Sequence, residues 1–270
     1  MLGKLIKYDI RAGWRDFAGI YMAIILGVLI LPFLFKNISN TLVNVIAGFI
    51  AAGIVTATIV IIIINLFTIF NTNVFSKAGY LTMTLPVTSL QIVFSKLLVS
   101  AMWIVLTGIV SIIGLIIFIS MIGEIHVSGI AEAIQDLIST MDGKGFLAVI
   151  LIVIAVISSI VKEVAKLFLA CSVAHLRQLS RFRIPIGILS YFVFSWLEVV
   201  VVETLAHVIN FFIDSDEIVR QINLIGQGDI HAYFTTFSGV MVFGILYSLA
   251  LITAYSVGTV WMLNHKLDLD

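Results

Sequence analysis

Six apolar blocks dominate this chain and leave few folds open to it. They cover residues 17–35, 42–70, 97–122, 146–176, 184–213 and 237–263. A helix needs about 20 apolar residues to cross ~30 Å of hydrocarbon, and each block reaches or approaches that length. The pattern predicts an all-α polytopic membrane protein with six transmembrane helices. Charge agrees: only 11% of the 270 residues are Asp, Glu, Lys or Arg, against about a quarter in a soluble domain. No segment between blocks exceeds about 26 residues, too short for a separate soluble domain. Residues 1–270 therefore read as a single transmembrane domain. The lone cysteine, Cys171, rules out an intrachain disulfide framework.

Residues 2–16 precede the first block and are amphipathic at helical spacing. Leu2, Leu5, Ile6, Ile10 and Trp14 form one face, and Lys4, Lys7, Arg11 and Arg15 the opposite one; Asp9 interrupts the apolar side. This pattern predicts an N-terminal interfacial elbow helix with its basic face toward anionic lipid. A secretory signal fits poorly, because the apolar run is too long and Leu34-Phe35-Lys36 offers no small-residue cleavage site. Orientation follows from Lys and Arg in the connecting segments. With the N-terminus inside, ten of them fall on the inner side, and only Lys36, Lys144 and Arg220 on the outer. Both termini are then cytoplasmic, and so is the segment 71–96. The second block carries Ala47/Ala51 and Gly48/Ala52 four apart, a spacing that lets helix backbones approach closely in lipid.

The segment 71–96 is the longest polar interval in the first half. Its second part predicts a short amphipathic helix, with Thr84 as cap and Pro86 in the first turn. Val87, Leu90, Phe94 and Leu97 line one stripe and Thr88, Gln91 and Ser95 another, while Lys96 is placed to snorkel at the membrane surface. An ordinary inter-helix turn is the plainer reading of the same letters. Further along, residues 128–143 predict a second amphipathic helix, capped by Ser128 and ended by Gly143. Residues 214–228 repeat that plan, with Asp214 and Glu217 spaced as a capping box.

Two apolar blocks carry ionisable groups: Lys162, Glu163 and Lys166 in the fourth, and Glu198, Glu203 and His207 in the fifth. Each central charge costs about 2.5–3.5 kcal/mol to insert, so partners or water are expected around it. A short turn joins these blocks antiparallel, which brings Lys162 and Glu198 to similar depth. A Lys162–Glu198 or Lys166–Glu198 pair is predicted, with Glu163 reaching Lys166 along its own helix. Three roles stay open: ion pairs that lock two helices, a polar lining to a substrate pathway, or a metal or catalytic site. The last is the least favoured. Glu203 and His207 have ligand spacing, but there is no His-Glu-x-x-His and the other histidines are scattered. An intramembrane enzyme would also need a Gly-x-Ser-Gly or a paired-Glu motif, and the chain has neither.

The run Gly79-Tyr80-Leu81-Thr82-Met83-Thr84-Leu85-Pro86-Val87-Thr88, with Ser95-Lys96 shortly after, resembles the cytosolic loop of ABC-2 type transporter permeases. The opening MLGKLIKYDI is similar to Gram-positive bacterial members of that family. The likeness in letters covers about thirty residues; in layout it covers the whole chain. Family members often place a basic residue where this chain has Ser89-Leu90-Gln91.

The resemblance implies the transmembrane permease subunit of an ATP-binding cassette exporter, in the bacterial cytoplasmic membrane. Such a subunit moves a peptide, drug or lipid-like substrate. It pairs with a second permease chain, identical or homologous, and with two copies of a separate P-loop ATPase. ATP and Mg would sit on that ATPase, with no cofactor or metal on this chain and no nucleic-acid partner. Gly79, Tyr80, Leu85, Pro86, Val87, Thr88, Ser95 and Lys96 would form the ATPase-coupling element. This chain holds no P-loop: Asp142-Gly143-Lys144-Gly145 lacks the earlier glycine and the Ser/Thr. It is therefore not expected to be an enzyme by itself. The alternative is a self-powered secondary carrier or proton-coupled channel using Lys162, Glu163, Lys166, Glu198, Glu203 and His207. No inverted repeat relates the two halves, which counts against such a carrier.

Overall fold

The computed structural model describes residues 2–37, 41–74, 88–123, 127–140, 143–176, 182–212 and 230–265. These residues form α1 (Leu2–Asn37), α2 (Thr41–Val74), α3 (Ser89–Ile122), α4 (Val127–Thr140), α5 (Gly143–Ala174), α6 (Arg183–Phe212) and α7 (Ile230–His265). All except α4 are long and apolar enough to cross a membrane. Their side chains point outward in a way that water would not tolerate. Phe33, Phe49, Ile112 and Phe192 are each more than 60% exposed, and the apolar exterior runs along whole helices, far beyond the patch size of soluble monomers. Lipid is the solvent that fits such a surface. The Ser and Thr residues inside these helices are accommodated locally. Thr56, Thr58, Thr107, Ser172, Ser190 and Thr259 each donate to the carbonyl four residues back, so these six hydroxyls are not left unpaired in hydrocarbon.

The chain divides into two compact units, Met1–Met141 and Asp142–Asp270. In the first, α1 and α3 pack side by side, with α2 against both. The α1–α3 contacts ascend along both helices together, so the two run parallel. Asp9 meets Lys96, Phe17 stacks on Trp103 with centroids 4.5 Å apart and planes 2° from parallel, and Phe35 lies edge-on to Phe118. Parallel first and third helices are what three successive crossings require. Two glycines allow the closeness. A Cβ at Gly13 would lie 3.1 Å from the Trp103 indole nitrogen, and one at Gly114 would lie 3.0 Å from Val28. Phe17, Ile20, Val99 and Trp103 form the buried core of this unit.

In the second unit α5 packs against both α6 and α7. Its contacts with α6 ascend on one helix and descend on the other. Lys162 meets Glu198, Glu163 meets Tyr191, and Ala174 meets Gly187, so α5 and α6 form the expected antiparallel hairpin.

The boundaries differ from the sequence reading at three places. Residues 2–16 do not form a separate elbow; they are the opening turns of α1, which runs unbroken to Asn37. Thr88, with extended φ −76° and ψ 149°, caps α3 and accepts from the Gln91 amide. Residues 89–96 are thus the first turns of α3 and not part of a separate coupling helix. Gly143 does not terminate α4 but begins α5. The helix of residues 128–143 is otherwise present as α4, with Ile134 and Ile138 exposed on its apolar side. Residues 75–87, which include Thr84 and Pro86, and residues 214–228 lie outside the described residues.

Candidate functional site

Four of the six intramembrane ionisable groups come together on α5 and α6. The ammonium of Lys162 lies 3.0 Å from Glu198 Oε2 and 3.2 Å from Glu163 Oε1. The ammonium of Lys166 lies 3.3 Å from Glu198 Oε2 and 2.8 Å from Glu163 Oε2. Each cation thus touches both carboxylates, and two positive charges balance two negative ones. Spacing explains the arrangement. Lys162 and Lys166 are one turn apart on α5 and share a face toward α6, and Glu163 stands beside them. Glu198 enters from the antiparallel neighbour at the matching height.

Three tyrosines complete the network. Tyr191 donates to Glu163 Oε2 at 2.8 Å, and its ring lies 4.9 Å beneath the Lys166 ammonium, a favourable place for a desolvated cation. Tyr255 of α7 donates to Glu198 Oε1 at 2.7 Å. Tyr247, two turns earlier on α7, donates to the Glu198 backbone carbonyl at 3.3 Å. Glu198 therefore joins all three helices of the unit. The side chains of Lys166 and Glu198 are 3% and 11% exposed and that of Glu163 is 41%. The cluster has a closed interior and one open, acidic corner.

Glu203 and His207 stay outside this network, further along α6, and both are exposed. Among the described residues, no three His, Cys, Asp or Glu side chains converge as a metal site would need. The sequence reading offered Lys162 or Lys166 as the partner of Glu198, and both lie against it; the expected Glu163–Lys166 contact is also present. It missed Tyr191, Tyr247 and Tyr255. Tyr191 carries a readable signal, since it lies two turns before Glu198 on one helix. The α7 tyrosines carry none, because their distance from Glu198 along the chain says nothing of proximity.

The residues assigned to ATPase coupling divide. Gly79, Tyr80, Leu85, Pro86 and Val87 lie outside the described residues. Thr88 is the cap of α3. Ser95 and Lys96 turn inward: Lys96 does not snorkel but is 3% exposed and paired with Asp9 of α1, while Ser95 donates to the other Asp9 oxygen at 3.0 Å. Asp9, which breaks the apolar stripe of the opening helix, is the residue that the sequence reading left without a role.

The first unit also holds a cleft of about 550 Å³ between α1, α2 and α3. Ser111 is one of three hydroxyl residues in its wall; the other two, Thr58 and Thr107, donate to the Ile54 and Trp103 carbonyls at 2.8 Å. Satisfied in that way, these two present little to a polar ligand, and apart from Ser111 the rest of the wall is apolar, so the cleft suits an apolar one.

No protein-family model, curated protein or solved structure matches this chain.

Proposed function

We propose that this chain is the membrane-spanning permease subunit of an ATP-driven exporter, powered by a separate P-loop ATPase docked at its cytosolic side. The observation that carries the reading is the run from Gly79 to Thr88 with Ser95-Lys96 after it. It resembles the coupling loop of ABC-2 type permeases and leads directly into α3. Six apolar helices supply the matching architecture. Basic residues gathered on the side of this segment supply its cytosolic placement. A dimer of permease chains with two ATPase subunits is the assembly the reading implies, in a bacterial cytoplasmic membrane. The apolar cleft between α1, α2 and α3 favours the lipid-like end of the substrate range.

The self-powered carrier draws less support. A transport site of that kind needs charges that change partners or protonation during turnover. Here the two lysines and two glutamates neutralise one another, while Glu203 and His207 stand apart. The network is better suited to holding α5, α6 and α7 together.

Purification of the tagged protein from its native host tests the proposal. A P-loop ATPase is expected to accompany it, and Leu85→Ala with Pro86→Ala is expected to abolish the ATPase's association or its control by the permease. If no ATPase accompanies the protein, or if both substitutions leave nucleotide-dependent behaviour intact, the reading is wrong.

A further inference from the structure

Ser95 and Lys96 occupy the second turn of α3, about 10 Å along the helix from its Thr88 cap at ~1.5 Å per residue. Both point into Asp9 of α1. The three side chains form a closed set: the ammonium binds one carboxylate oxygen and the hydroxyl binds the other. Ser95 is fully buried, Lys96 is 3% exposed and Asp9 8%. Such a contact has little freedom to slide. Sliding α1 along α3 would pull a buried carboxylate away from its counter-ion, and losing the partner of a buried charge is strongly destabilising.

Deeper along the same two helices, Phe17 stacks face to face on Trp103, and the Gly13 backbone presses against the Trp103 indole. The two contacts lie on one seam, and between them they fix the register of a parallel helix pair. A polar clamp at one end and an aromatic wedge two turns on leave α1 no independent path when the start of α3 moves.

We propose that Asp9 is a positioning residue that makes α1 and α3 a single moving body, so that motion delivered to the segment before α3 passes into α1. This inference rests on the permease reading above. It gives Ser95 and Lys96 an inward task, as the anchor of the coupling segment, in place of direct contact with the ATPase.

The experiment uses the full chain with its ATPase in phospholipid vesicles and a Cys171→Ala background, which removes the sole cysteine. A reporter thiol is placed at exposed positions on either helix, Ala12→Cys on α1 or Leu90→Cys on α3. Maleimide labelling rates are compared without nucleotide and with Mg-ATP plus vanadate. With Asp9 in place, both positions are expected to respond to nucleotide. In Asp9→Asn, the Leu90→Cys response is expected to persist and the Ala12→Cys response to be lost. Should Asp9→Asn fail to fold, the pair Asp9→Leu with Lys96→Met takes its place, because apolar residues remove the ion pair and leave no buried charge. The same split is expected there.

Equal responses at both positions in the altered protein overturn the inference, as does their joint loss. So does an Ala12→Cys position that never responds while Asp9 is present. If no ATPase joins the unaltered chain and neither position responds to nucleotide, the permease reading has failed and takes this inference with it. A Leu90→Cys response in the unaltered complex tells the two failures apart.

Discussion

The two units solve the problem of charge in an apolar helix bundle in different ways. In the first, one carboxylate, Asp9, meets one ammonium, Lys96, between parallel helices, and among the described residues Ser95 adds the one further bond to that carboxylate. In the second, four charges and three tyrosines share the load across three helices. The first arrangement is all-or-nothing in charge: remove either partner and a buried charge has no counter-ion. The second is redundant, because Glu198 keeps a lysine and a tyrosine when either lysine is lost. Redundancy suits a structural lock, and a single clamp suits a joint through which movement is passed.

Substitutions measured by thermal unfolding in detergent can break this contrast or sharpen it. Asp9→Ala should be the most damaging, at about 3–5 kcal/mol, since it strands the Lys96 ammonium at 3% exposure. Lys166→Met should cost less, about 1–3 kcal/mol, because Lys162 and the tyrosine hydroxyls remain on both carboxylates. Tyr255→Phe removes one hydrogen bond to a charged group and should cost about 1.5 kcal/mol, within the usual range for such bonds. Lys162→Met should be the mildest, at about 1 kcal/mol or less, as its side chain is 15% exposed and Lys166 contacts the same two carboxylates.

The double substitution of Lys162 and Lys166 sharpens the point. It should cost clearly more than the two single losses added together, because only then are both glutamates left without a cation. If Lys166→Met alone equals Asp9→Ala, the second cluster is not redundant and the contrast dissolves.

The same contrast explains what the sequence could reveal. The six helices were legible because hydrocarbon imposes a minimum apolar length that few soluble sequences reach. The α5–α6 pairs were legible because a short turn between two helices sets their relative height, and charges inside apolar blocks demand partners. The Asp9 clamp was not. It joins residues 87 apart across an intervening helix, and nothing local sets the register of α1 against α3. Both residues had plausible surface roles, Asp9 as a flaw in an interfacial helix and Lys96 as a snorkelling cation. The elbow was misjudged for a related reason: basic residues at a membrane surface look alike whether they lie on a separate helix or on the first turns of a spanning one. Residues 89–96 read as part of a separate short helix because Thr88, Gln91 and Ser95 make a polar stripe there, and only the Thr88 cap shows that these residues open α3.

The account rests on α3 beginning at the cytosolic face, where a soluble ATPase can reach the residues before it. The most direct measurement is the sidedness of Leu90→Cys in the Cys171→Ala background, probed with a membrane-impermeant maleimide. The account predicts labelling in inside-out vesicles and none in intact cells. Labelling of intact cells would contradict it, because an ATPase in the cytosol could not grip a segment outside.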